Sequence, residues 1–539
     1  MHKKSVYSVS LFNPTSTRRY LLLLFFALII ALNVLGLYKK RLTYDEGAHY
    51  KYGMNILSLN SDRFDDSKMP FSTLNALPRK IWDVIGSWKW TKPLSFLRKM
   101  RTGKSMTGLF SLILGFFVFK WVEELYGTRA GFFSLFLYVF EPNILAHSRL
   151  ITTDLYAAGM TTIALYYFWK FHKLGGRKNA FISAVTLALS QLAKYTCIYL
   201  YPIFFLIAGF NYFHKLIISS AKKRFLVAQT GFKVFLGYVA LSIITSILVI
   251  NVGFLFNKSF VPLKNYSFQS DLFQSLQTRF PSLIMPLPYP YVQGLDQIKF
   301  YDQEGKEPFY TYLLGELRKG KKFIGYYFYA FLFKEPIATQ LLVLLSFVFY
   351  VRNHKKYNFF GDELFLFVPT IFFTIYFNFF FRVQMGMRFF IVVLPVLFIF
   401  CGNLFKNWRD FGRKSKIGVG LLSLYLIGSV LSYTPHYLSY FNEFLLDRKK
   451  AYKILADSNV DWGENTWYLE RYRKRHPDAI VSPDHPVAGK IIVSINDLVG
   501  LTDQPAKYKW LRNHFEPTGH IAYSYLVYDI STEALKSIV

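Results

Sequence analysis

Long uncharged stretches, rather than strict alternation or narrow amphipathic stripes, set the pattern of this chain. Tyr20 to Leu37 holds no charged residue, and neither does Val234 to Phe256. Each meets the roughly 20-residue length that a helix needs to cross a bilayer. Read in order, the apolar runs predict spans near 20–37, 108–122, 128–141, 151–170, 180–193, 196–213, 234–252, 326–350, 364–381, 388–405 and 417–434. The basic residues between them supply an orientation. Lys3, Lys4, Arg18 and Arg19 precede the first span; Lys173, Arg177 and Lys178 follow the fourth; Lys215, Lys222, Lys223 and Arg224 follow the sixth. Arg352, Lys355 and Lys356 follow the eighth, and Lys406, Arg409, Arg413, Lys414 and Lys416 follow the tenth. With eleven spans all of these loops fall on one side, and the bias of Lys and Arg toward the cytoplasm puts the N-terminus inside and the C-terminus outside.

That topology places residues 38–107, 253–325 and 435–539 outside the membrane. The second segment is rich in Pro and Tyr, as in Pro286-Leu287-Pro288-Tyr289-Pro290-Tyr291, and reads as a structured loop. The third changes character, with a helical stretch around Glu464 to Arg475 and strand-like runs over Lys490 to Ile495 and His520 to Tyr528. The predicted fold class is therefore an all-α polytopic membrane protein of about eleven transmembrane helices, with large extracytoplasmic loops and a small α/β C-terminal appendage. No internal repeat or low-complexity tract is visible.

Composition agrees with the pattern. Of 539 residues, 53% are hydrophobic and 18% charged, which excludes disordered, collagen-like and disulfide-stapled classes. The net charge of +31 would suggest nucleic acid on a soluble protein. Here much of it lies in short loops between apolar runs, and no nucleic-acid partner is expected. Cys197 and Cys401 both lie inside apolar runs, so no disulfide framework is predicted. The basic N-terminus and first run mimic a signal peptide, but no small-residue cleavage site is in view, and the run reads as a retained helix.

Acids at outer helix ends are the first candidates for chemistry, because a carboxylate near lipid is costly unless solvated or used. Asp45 and Glu46 follow the first span, and Asp154 opens the fourth. At one depth they could take a proton from an attacking hydroxyl. They would equally serve as a juxtamembrane cap and a first-turn acid favoured by the helix dipole. The cations at the same level are Lys194, Arg382, Arg388 and Lys334. Each alone suits a side chain snorkelling to lipid phosphate. As a group they suit the phosphate or diphosphate of a lipid-linked substrate, while Lys334 also suits an ion pair with Glu335. His49, His147 and Arg149 are candidate substrate-binding residues. The two histidines could join Asp45 and Asp154 around a divalent metal, although the spacing matches no metal motif and no cofactor is assigned. Asp457 to Glu464 is dense in acids; it resembles a calcium loop only loosely and reads as a cap for the helix that follows.

Taken together, Asp45-Glu46, the His147 to Asp154 segment, Leu192-Ala193-Lys194 and the Arg388 to Pro395 run resemble the GT-C glycosyltransferases. The nearest group is the protein O-mannosyltransferase and aminoarabinose transferase group, glycosyltransferase family 39. Tyr440-Phe441-Asn442-Glu443 and Asp457 to Gly463 resemble its bacterial members, and the likeness extends over most of residues 15–465. It implies a GT-C-like catalytic module over 1–434, an extracytoplasmic region over 435–539, and a polyprenyl-phosphate-linked sugar donor. It further implies Asp45 as general base with Glu46 assisting, Asp154 in the same cavity, and Lys194 and Arg388 facing the donor phosphate, with inversion at the anomeric carbon. A hexosyl- or pentosyltransferase in a bacterial inner (cell) membrane, among membrane lipids, is the expectation. The acceptor stays open among a protein Ser/Thr, a lipid-linked glycan and a surface polysaccharide, because no β-trefoil insertion is recognisable and the last 100 residues do not match the aminoarabinose enzymes. The alternatives are a polysaccharide ligase or polymerase with a diphosphate-linked donor, and a non-enzymatic lipid or glycan transporter. A transporter should gather its ionisable groups near the midplane of broken, repeated helices.

Overall fold

The uncharged runs become helices in the computed structural model, which describes residues 16–37, 39–60, 65, 67–304, 310–406, 408–502 and 504–538. Lys3 and Lys4 lie outside the described residues. The first ten α-helices are α1 (Ser16–Leu37), α2 (Glu46–Leu57), α3 (Ser72–Ile85), α4 (Gly103–Tyr126), α5 (Thr128–Val139), α6 (Pro142–His147), α7 (Asp154–Leu174), α8 (Arg177–Ser190), α9 (Leu200–Ile218) and α10 (Ala221–Gly253). Further apolar helices cover Tyr326–Lys334, Ile337–Arg352, Leu364–Ile375, Leu394–Cys401 and Arg413–Leu431. Every one of the eleven apolar runs is helical over most of its length.

They are not equally able to cross a bilayer. Among the described residues, six helical stretches are long and apolar enough alone: Ser16–Gly36, Met100–Tyr126, Tyr195–Ile218, Gln229–Gly253, Met387–Lys406 and Arg413–Leu431. Tyr326–Lys334 and Ile337–Arg352 add a seventh if they form one span, although they meet at 112°. Pro336 sits at the break, where its ring excludes the preceding residue from the helical region. The difference from eleven has a physical cause. α5 and α8 are only 12 and 14 residues long, and α7 is buried along most of its length. A helix surrounded by protein need not be apolar enough for lipid. The outer helices do carry such a surface, with Leu23, Ile244 and Leu424 each more than 60% exposed.

Polar contacts define the two ends of the bundle. At one end Arg18 grips Glu123 through Nε (2.9 Å) and Nη2 (2.5 Å), Lys170 pairs with Glu124 at 2.7 Å, and Lys173 with Asp362 at 2.8 Å. At the other, Lys104 meets Glu46, Lys194 meets Asp154, and Arg388 meets Asp45. The carboxylates singled out from the sequence thus share the end opposite Arg18.

The segments outside the apolar runs are structured. Residues 253–325 hold two short antiparallel strand pairs, β1 (Val261–Pro262) with β2 (Ile284–Met285) and β3 (Tyr310–Leu313) with β4 (Glu316–Lys319). The C-terminal sheet runs β5-β6-β8-β7, from Ile480–Val481 (β5), Gly489–Ser494 (β6), Gly519–Ile521 (β7) and Tyr525–Ile530 (β8). The run read as one strand over 520–528 is a tight hairpin, because Ala522 and Tyr523 take positive φ and reverse the chain. Nor does this region hang free: Ile491, Val493, Leu526 and Tyr528 belong to the same buried cluster as Tyr437 and Tyr440.

Candidate active site

Asp45 immediately precedes α2, and its side chain, 42% exposed, accepts a hydrogen bond from Arg388 Nη1 at 2.9 Å. Asp154 is the first residue of α7 and is buried; it takes Lys194 Nζ at 2.5 Å and lies 3.8 Å from His147 Nδ1. One ring joins the two ion pairs. Phe389 carries Lys194 Nζ 4.0 Å from its centroid and Arg388 Cζ at 5.0 Å. Arg388 also stacks on Trp462 at 4.5 Å, which brings the segment after residue 455 into the site. The turn before Arg388 depends on Gly386, at φ +85°, where a Cβ would lie 2.4 Å from Ser458 Oγ.

Four elements distant in sequence therefore meet: the start of α2, the start of α7, the α8–α9 connection, and the start of the Met387–Lys406 stretch. Asp457 is a fifth contributor, which sequence reasoning placed at a helix cap. It interacts electrostatically with both Arg388 and Asp45; burial raises its carboxyl above the usual range, and Arg388 opposes that shift. Trp462 and Phe389 were also missed, since an aromatic residue in a chain with 19% of them carries no signal until the fold places it under a cation.

Other candidates take different roles. Glu46 is fully buried and its oxygens are occupied: Oε2 accepts from Thr43 N at 2.6 Å and faces Lys104 Nζ at 2.9 Å, while Oε1 accepts from Ile151 N at 2.8 Å. It ties the start of α2 to the segment entering α7, so it positions both carboxylates instead of reaching between them. Lys334 is 1% exposed and donates to the carbonyls of Leu438 (2.7 Å) and Asn459 (2.5 Å), bracing the backbone at the bend. The ion pair with Glu335 does not form; that carboxylate accepts from Asn143 Nδ2 at 3.0 Å. Arg382 donates its backbone N–H to Asp302 at 2.6 Å, and no contact joins it to Asp45 or Asp154 among the described residues. Arg149 turns away from Asp154 toward Pro435 and Tyr437.

His49 hydrogen-bonds Ser72 Oγ at 3.1 Å and stands in the field of Asp45, Asp154 and Arg388. Burial lowers both His49 and His147 to about 4. Among the described residues, no group of three or more His, Cys, Asp and Glu side chains is placed to hold a metal ion. The depressed histidines give a pH prediction. An unfolded histidine takes its proton near 6.5, whereas these remain neutral in the folded protein until about 4, so the unfolded state binds more protons in that window. Stability should rise with pH from about 4 to 6.5 and level off above. His147→Phe should flatten that slope in thermal unfolding followed across pH, whereas an unchanged slope would assign the dependence elsewhere.

Residues 102–250, which include Asp154 and Lys194, match the family model for dolichyl-phosphate-mannose-protein mannosyltransferase. That match spans less than a third of the chain and is a similarity over those residues. Among solved structures the chain is similar to ArnT from Cupriavidus metallidurans bound to undecaprenyl phosphate, at 11% identity over 96% of this chain and 99% of that one, with a TM-score of 0.48. It is also similar to the archaeal oligosaccharyltransferase AglB from Archaeoglobus fulgidus in complex with an inhibitory peptide and a dolichol-phosphate. That likeness has 13% identity over 85% of this chain and 59% of AglB, with a TM-score of 0.47. No curated protein sequence matches the chain.

Proposed function

We propose that this protein transfers a sugar from a polyprenyl-phosphate carrier to an acceptor hydroxyl on the outer face of the membrane, with inversion. The observation that carries the reading is the shared Phe389 ring, which sets the Asp45–Arg388 and Asp154–Lys194 pairs side by side. The partly exposed carboxylate of Asp45 is open to an incoming hydroxyl, and the buried Asp154 holds Lys194 in place. The donor phosphate draws Arg388 toward itself and frees Asp45. The acceptor oxygen then attacks the anomeric carbon, Asp45 takes its proton, and the bond from that carbon to the phosphate oxygen breaks on the opposite side. Lys194 and Arg388 stabilise the departing polyprenyl phosphate, as preorganised cations do for developing charge.

The matched family is itself described by a polyprenyl-phosphate sugar, dolichyl-phosphate-mannose, and by a protein acceptor. A lipid-phosphate donor fits the cation set; the acceptor is left to experiment. The bias of the basic loops toward the cytoplasm supports a site end that faces outward. In a purified assay, Lys194→Ala and Arg388→Ala should each lower the use of donor more than the use of acceptor. Equal losses toward both substrates would argue against the phosphate role. Mass spectrometry of surface glycans and glycoproteins from a deletion strain should show one missing sugar and so identify the acceptor.

A further inference from the structure

Leu446 is 97% exposed and Phe444 51%, in a segment that is otherwise firmly held. On one side Glu443 accepts hydrogen bonds from Ser429 Oγ at 2.6 Å and from the Tyr425 hydroxyl, both on the Arg413–Leu431 helix. On the other, Asn442 N donates to Phe333 O at 2.9 Å and its Nδ2 to Glu335 O at 2.7 Å, at the bend between Tyr326–Lys334 and Ile337–Arg352. The loop is thus pinned between the site-end termini of two apolar stretches able to cross a bilayer. Ser429 lies in the last turn of its helix, which sets the level of Glu443 and of the residues after it. The apolar side chains on those termini are bare as well: Leu424 and Leu431 on one, Leu332 on the other. Exposed apolar surface gathered in this way marks a contact with a partner or a membrane.

Immediately after Leu446 the chain turns polar. Asp447 caps the helical turn Arg448–Lys453 by accepting from Lys449 N at 3.0 Å. Arg448 Nη2 donates to Ser432 Oγ at 2.8 Å, and its guanidinium carbon lies 4.1 Å from the Tyr433 ring centre. Ser432 and Tyr433 are the first residues beyond the Arg413–Leu431 helix, so the cationic turn is tied just past the end of the span. Lys449 is half-buried and Lys450 exposed. Apolar side chains beside the end of a span, then a tyrosine and cations just beyond it, follow the order in which a bilayer presents hydrocarbon and then phosphate.

We infer that the 444–450 loop is a membrane-interface anchor, in which Phe444 and Leu446 enter the hydrocarbon at the site end of the bundle and Lys449 and Lys450 meet the phosphates of anionic lipids. The loop leads into the segment that carries Trp462, stacked under Arg388. Anchoring it fixes the height of that segment relative to the lipid phosphates. The inference rests on the apolar helices crossing a membrane and not on glycosyl transfer, and its test reads depth alone.

A nitroxide attached at Leu446→Cys decides it by electron paramagnetic resonance, with the full chain reconstituted in vesicles of phosphatidylcholine and phosphatidylglycerol. Cys197 and Cys401 are buried and stay unlabelled. The label should be relaxed more by oxygen, which partitions into hydrocarbon, than by a water-soluble nickel chelate. The same label at Asp484→Cys, where the native side chain is 89% exposed, should show the reverse order. Leaving out phosphatidylglycerol, or combining Lys449→Gln with Lys450→Gln, should shift the label at 446 toward the chelate. Chelate access at 446 equal to that at 484 would overturn the anchor. A label closed to both reagents would overturn it too, and broadening by a second spin would then mark a contact between copies of the chain. An unchanged depth without the lysines and without the anionic lipid would overturn the phosphate contact. If Leu446→Cys does not fold, Phe444→Cys must show the same preference for oxygen, and its absence overturns the anchor as well.

Discussion

Asp45→Asn is expected to abolish sugar transfer while leaving the protein folded and inserted. The exchange is nearly isosteric and touches a side chain that is 42% exposed and, among the described residues, bonded to Arg388. The amide keeps an oxygen that can accept from Arg388 but cannot take a proton from the acceptor. General-base loss of this kind costs about 10²–10⁴ in rate. The measurement is turnover by the purified protein with a polyprenyl-phosphate sugar, alongside the unfolding midpoint of the same preparation. Wild-type turnover by the variant would remove Asp45 from the mechanism. Asp154→Asn gives the contrast. It strips Lys194 of its counter-ion, so it should lower activity by disturbing donor binding, with a raised KM that Asp45→Asn does not share.

Lys104→Met should be the most damaging single change to stability in this region. Lys104 is 2% exposed and Glu46 fully buried, so the variant leaves a carboxylate in the interior with two backbone N–H groups and no cation. Breaking such a pair costs about 3–5 kcal/mol. Replacing both partners, as Glu46→Gln with Lys104→Met, should cost clearly less, because the stranded charge is gone. Thermal unfolding in detergent of the two single variants and the double variant measures the coupling. Additive losses would show that the pair is not a clamp. Activity should fall with the single changes, since Glu46 links Thr43 beside Asp45 to Ile151 near Asp154.

Much of the architecture was written in one-dimensional pattern. Uncharged runs are a strong signal because the bilayer admits little else, and each became helix. What the pattern could not separate was a helix facing lipid from one facing protein. α7 read as a span, yet its surroundings are mostly other helices. The site was legible in its charged members, because acids and bases at helix ends are conspicuous against an apolar background. Which of them converge was not. Lys334 and Arg382 had the same residue types and the same apparent depth as Lys194 and Arg388, and only packing sorts them. Glu46 shows the limit most clearly: it adjoins Asp45 in the chain, but successive residues at a helix start point in different directions. Asp457 and Trp462 lay in a segment whose acid-rich spacing suited a cap, and nothing local tied them to a loop some 70 residues earlier.

Asp154 stands at the head of a helix enclosed by its neighbours on nearly every side. Helices in contact with lipid tilt to match the thickness of the hydrocarbon layer. This one is shielded from that adjustment, so the spacing of Asp154 from Lys194 should hold as the protein moves between thin and thick bilayers. Reconstitution across lipids of increasing chain length would then alter access of the carrier to the protein far more than the chemical step itself.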